Sequence, residues 1–97
     1  MDIKVYEKPV VTKFVMIDGE EFELGMLIDC LEQISGTKDD TYGDYYLRDY
    51  ELIDYEITKK LVKMGLVKNY TGSRMADLYC IKDKKVIEDL LDTLYEL

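Results

Sequence analysis

Basic side chains and tyrosines carry most of the chemistry open to this sequence. Residues 57–85 hold Lys59, Lys60, Lys63, Lys68, Arg74, Lys82, Lys84 and Lys85 against Asp77 and Asp83, a net charge of +6. The rest of the chain holds five basic and 19 acidic groups, a net charge of -14. A chain divided in this way suits one basic, phosphate-seeking face on an acidic body. A second constellation lies in residues 39–56. It has seven carboxylates against Arg48 alone, and five of the nine tyrosines. Tyrosines are favoured anchors at protein interfaces, and carboxylates spaced along a helix can imitate a phosphate array. Asp40, Tyr42, Asp44, Tyr45, Tyr46, Asp49 and Tyr50 are therefore candidates for protein binding. The plainer readings are a solvated lysine face for the first set, and core tyrosines with solubilising acids for the second.

Other chemistry is excluded by what the chain lacks. It has no histidine, so the usual general base and triad partner are missing. No Gly-rich phosphate loop and no G-x-S-x-G elbow occurs, and the chain is not expected to be an enzyme or to need a cofactor. Two cysteines without histidine make a poor zinc site, and Cys30 and Cys80 are expected as buried free thiols. The acidic loop 39–44 fails as a calcium loop. Counted from Asp40, Tyr42 takes a ligand position and Tyr45 takes the place of the required glycine. The overall charge of -8 and pI near 4.5 argue against an unspecific nucleic-acid binder. No apolar run is long enough to span a membrane, and Met1-Asp-Ile-Lys does not begin like a signal peptide, so a cytoplasmic protein without membrane contact is expected.

Ninety-seven residues make one domain with a modest core, so dimerisation would add stability. In chain order, residues 10–17 read as a strand after an N-terminal arm. Asp18-Gly19 is either a hairpin turn or, with Glu21, a capping box. The helical spacing of Phe22, Met26, Leu27, Cys30, Leu31 and Ile34 favours the second, and predicts a helix over residues 20–35. A short second helix is expected over residues 44–50. Asp54 then caps a helix over 55–64, with Ile57, Leu61 and Met64 on one stripe and Gly65 as its left-handed stop. Two strands, 67–71 and 78–82, follow. A last helix starts at Asp83, with the stripe Val86, Ile87, Leu90, Leu91, Leu94 and Leu97. That stripe either closes the core or forms a homodimer through the 83–97 helix.

The passage from Leu61-Val-Lys63-Met64-Gly65-Leu66-Val67 into a hairpin returning through Leu78-Tyr-Cys-Ile81 resembles the third helix and wing of winged helix-turn-helix domains, such as the MarR and PadR-like regulators. The resemblance covers about residues 47–82. It implies a small α+β fold with a three-helix core, a β-hairpin wing and a C-terminal helix, with the first strand beside the wing. It also implies a DNA-binding transcriptional regulator, dimeric on duplex DNA. Tyr55, Thr58, Lys59, Lys60 and Lys63 would lie on the recognition helix, with Lys68 and Arg74 on the wing. The acidic stretch 39–56 departs from that family, since it would approach phosphates. It supports the alternative, an interaction module or nucleic-acid mimic that binds a nucleic-acid-binding protein, in composition like small phage-encoded anti-CRISPR or anti-restriction inhibitors.

Overall fold

A computed structural model of the chain describes all residues except 9–11, 41–44 and 72–76. It is an α+β arrangement of three helices and six strands in two antiparallel sheets. The first sheet contains β1 (Ile3–Glu7), β2 (Lys13–Ile17) and β3 (Glu20–Glu23), in that spatial order. Helix α1 (Leu24–Ser35) follows directly. Next come β4 (Leu47–Arg48), a 3-10 turn (Asp49–Glu51) and α2 (Tyr55–Lys63). Strands β5 (Val67–Tyr70) and β6 (Leu78–Ile81) and helix α3 (Lys84–Tyr95) complete the chain. The second sheet has the order β4-β6-β5.

This arrangement overturns the three-helix core with a wing and a further C-terminal helix. Residues 45–50, the described part of the expected second helix 44–50, do not form it. Among the described residues, Leu47 and Arg48 pair with Tyr79 and Leu78 instead, and Asp49–Glu51 makes a single tight turn. The strand expected over residues 10–17 is seen as β2 and is not beside the 67–81 hairpin. It lies at the centre of its own sheet, with Val5 and Phe22 on either side of Val15. The helix expected from residue 20 begins at Leu24, because the hairpin reading of Asp18-Gly19 prevails. Both residues take left-handed backbone angles, φ 49° and 85°, as a two-residue hairpin turn requires. Val15, Ile17 and Phe22 then point into the core.

Helix α1 is the element on which the others pack: β2, β3, β6, α2 and α3 all touch it. Its apolar face, Leu24, Leu27, Cys30, Leu31 and Ile34, is buried. The Glu23 carboxylate caps its start, accepting from Gly25 N at 3.1 Å and Met26 N at 2.8 Å. A Cβ on Gly25 would come within 3.2 Å of that carboxylate, which accounts for a glycine in the first turn.

Helix α2 is capped by Asp54, whose Oδ1 accepts from Ile57 N at 2.9 Å. It ends as its sequence predicts. Gly65 has φ 79°, Leu66 N donates to Leu61 O, and Gly65 N donates to Val62 O, the paired bonds of a glycine-terminated helix. The strands β5 and β6 follow that stop. Asp83 caps α3 through Lys85 N and Val86 N. The α3 stripe, Ile87, Leu90, Leu91 and Leu94, is buried in the chain's own core. The expected homodimer through this helix therefore finds no free stripe; only Val86 and Leu97 of the predicted set are exposed. Among the described residues no helix is long and apolar enough to cross a membrane.

Candidate functional site

Several of the lysines that composition assigns to a basic face already have partners within the chain. Lys60 reaches across to the first sheet, where its Nζ donates to Glu21 O at 2.8 Å and lies 5.3 Å from the Phe22 ring centre. Lys63 pairs with Glu20 at 2.9 Å. The Lys63 hydrogen bond and charge lower the Glu20 carboxyl, and Glu20 in turn raises the Lys63 ammonium. Lys68 pairs with Asp39 at 2.6 Å. Lys59 sits over the Tyr55 ring at 5.2 Å. Thr58, expected to face bases, is only 4% exposed, and its hydroxyl donates to Asp54 O at 2.8 Å. Thr58 is therefore a packing residue of α2: its small side chain turns inward while Lys59 and Lys63 turn out. Arg74 lies outside the described residues. Phosphate contact by Lys60, Lys63 or Lys68 would compete with an acceptor each already has.

The two predicted sets meet at Asp39, which belongs to the acidic stretch 39–56 but is not among the candidates singled out from it. Its carboxylate accepts from Lys68 Nζ, from Tyr70 OH at 3.1 Å and from Tyr46 OH. The Tyr46 and Tyr70 rings stack, with centres 5.4 Å apart and 11° between planes. Lys68, then Tyr46, bring the Asp39 carboxyl down to about 2 from its ordinary 3.8. Asp39 accepts the Tyr46 hydrogen bond and holds that phenol well above its usual range. A depressed carboxyl stabilises the fold fully above its unfolded value and loses that contribution as pH falls through the folded value. The expected result is a loss of stability between about pH 4 and pH 2 that Asp39→Asn makes shallower. Glu20, Glu21 and Glu51, lowered by Lys63, Lys8 and Arg48, supply the remaining slope. Urea midpoints across this range measure it; equal slopes in both proteins would refute the role of Asp39.

The other predicted set is divided. Tyr46 is committed to Asp39, and Asp40 and Asp49 are half-buried. Tyr42 and Asp44 lie outside the described residues. Tyr45 is 56% and Tyr50 72% exposed. Sequence reasoning missed Ile53, which is 49% exposed, and placed Tyr55 in the basic set. Tyr50, Ile53 and Tyr55 all project from the link between β4 and α2, while Leu47 and Leu52 pack inward against the core.

That link is pinned on every side. Gln33, the chain's one glutamine, uses both ends of its amide on it. Its Nε2 donates to Glu51 O at 2.7 Å, and its Oε1 accepts from Ile53 N at 3.0 Å. Glu51 Oε1 accepts from Arg48 N and from Arg48 Nη1, both at 3.1 Å. Asp49 N donates to Asp77 O at 3.0 Å. Burial first, and the Asp54 charge next, push the adjoining Cys30 thiol up to about 11. The outcome is three large side chains held outward on a fixed backbone. Asp49, Glu51, Asp54 and Glu56 are their neighbours in sequence, with Arg48 as the cation of the link and Lys59 over the Tyr55 ring. A lone polar residue beside an apolar helical stripe was the sole sequence signal for Gln33.

No family model matches this chain, and no curated protein or solved structure is significantly similar to it.

Proposed function

We propose that the chain is a protein-interaction module that presents Tyr50, Ile53 and Tyr55, interspersed with carboxylates along the chain, to a basic surface of another protein. The observation that carries this reading is the exposure of Tyr50 and Ile53 on a segment whose backbone Gln33 clamps from both sides. A surface fixed before association loses less conformational freedom on binding. Tyrosine gives large contact area with few torsions to freeze, and is common among residues that dominate interface energy. The carboxylates set the sign of the partner. A basic nucleic-acid-binding channel has that sign, so mimicry of a phosphate array is the form this function takes.

DNA contact by the lysine set is less well supported, since Lys60, Lys63 and Lys68 already have acceptors and Thr58 is buried. The test begins with capture by the wild-type protein, identification of the retained protein, and binding with both components purified. Tyr50→Ala and Ile53→Asp are each expected to weaken that binding by about 30-fold, the size of an interface hot spot, while thermal unfolding stays unchanged. A captured partner that is not basic, or one indifferent to both substitutions, refutes the proposal. Labelled duplex DNA supplies the competing arm. Binding at low salt that Lys59→Glu/Lys63→Glu abolishes would replace the module with a DNA-binding regulator.

A further inference from the structure

A cleft of about 670 Å³ opens between the end of α1, Tyr45 and the start of α3. Lys38, Lys82 and Lys84 line it together with Tyr45, Ser35, Thr37 and one carboxylate, Asp39. The donors and acceptors around it are accounted for, apart from the ammonium groups. Ser35 Oγ donates to Glu32 O, and Thr37 Oγ1 donates to Ile34 O and accepts from Ile81 N. The backbone N–H groups of Gly36, Thr37 and Lys38 all have carbonyl acceptors. The two nearest carboxylates are engaged, Asp39 with Lys68 and two phenols, and Asp83 with the start of α3. In a chain with 21 acidic and 13 basic residues, Lys38 and Lys82 nevertheless have no carboxylate partner among the described residues. Lys84 has only a 3.9 Å approach to Glu88.

We infer that this cleft binds a small phosphorylated ligand with a planar ring, of the mononucleotide class. Three ammonium groups around one hollow concentrate an anion there. The exposed Tyr45 ring, with Lys38 Nζ 5.9 Å from its centre, offers a face on which a base stacks. The volume lies in the range of small-molecule sites. The acidic body around the cleft favours a small anion over a nucleic-acid strand, whose further phosphates would meet carboxylates. Two other clefts are smaller, about 220 and 340 Å³, and their exposed linings are mainly apolar.

Amide-shift titrations of the whole chain with AMP, ribose 5-phosphate and adenosine test this inference. AMP is expected to bind more tightly than either fragment, with the shifts centred on residues 35–38, Tyr45, Lys82 and Lys84. Lys38→Glu/Lys82→Glu is expected to weaken AMP by about tenfold or more, as loss of charge-assisted bonds implies. Tyr45→Ala should reduce AMP affinity toward that of ribose 5-phosphate and leave the latter unchanged. These side chains are exposed, and thermal unfolding of each variant checks that the fold is kept. Absence of saturable shifts with AMP, indifference to the lysine reversal, or full AMP affinity in Tyr45→Ala would each overturn the inference. Tyr50 and Ile53 lie outside the cleft, so none of these outcomes bears on the protein-binding surface.

Discussion

Truncating Tyr79 to alanine is expected to lower the unfolding free energy by about 4 kcal/mol, near the upper end for a single buried side chain. Tyr79 is 1% exposed and is the largest of the fully buried side chains. It sits in β6, the middle strand of the second sheet, opposite Leu47 on one side and Asn69 on the other. Nothing beside it can fill the space without moving a strand. For a domain of this size the loss corresponds to a fall in Tm of about 15–30 °C. Tyr79→Phe separates the two parts of the effect. Burial, and next the neighbouring Tyr55 phenol, push the Tyr79 phenol up to about 12. Removing the hydroxyl alone keeps the ring in place and should cost under about 1.5 kcal/mol, as for a shape-conserving swap. Denaturant titrations with an unchanged slope measure both. A Tyr79→Ala protein that unfolds within a few degrees of wild type would mean that the sheet is not packed around this ring.

Thr37→Val is the second large effect. Thr37 is buried, and its hydroxyl stands where a longer β4 would continue. Strand β4 covers β6 only as far as Tyr79, and beyond it Ile81 N donates at 2.9 Å to Thr37 Oγ1 instead of to a neighbouring strand. Valine keeps the shape and removes the acceptor. Ile34 O stays satisfied, because Thr37 N also donates to it, but the Ile81 N–H is left buried and unpaired. The expected cost is about 1–3 kcal/mol, with faster hydrogen exchange at Ile81. Thr37→Ser retains the hydroxyl and should lose less. If valine and serine behave alike, the side chain contributes packing rather than the missing acceptor.

Local signals were readable from the sequence where a single helix turn contains the whole cause. Asp54, Gly65 and Asp83 act through neighbours two to four residues away, and their caps and stop form as their spacing predicts. The first hairpin was harder, because Asp18 and Glu21 satisfied two local rules at once. Strand pairing on both sides of β2 decided between them, and no window of sequence contains that. The true cap of α1, Glu23, is a residue type rarely chosen for that role. A two-residue strand such as β4 has no periodicity to detect.

The candidate surfaces show the same limit. Charge counted by segment gave residues 57–85 an excess of six positive groups. Lys63 nevertheless pairs with Glu20 across a separation of 43 residues, and Lys60 donates to the Glu21 backbone carbonyl across 39, because the first sheet lies against α2. Tally by segment cannot register cancellation between segments. The Gln33 clamp is hidden likewise, joining residues 18 and 20 apart. Exposed tyrosines could be counted beforehand, but their rigid presentation rests on contacts that only the folded chain brings together.

The two thiols make the molecule its own stopwatch. Cys30 faces inward from α1, and Cys80 lies in the middle strand of the second sheet. Burial raises both above the ordinary thiol range, so neither offers a reactive thiolate while its layer is closed. Alkylation at each sulfur therefore times the opening of a different part of the architecture. One unlabelled sample, followed by mass, would reveal whether helix and sheet part together or in turn.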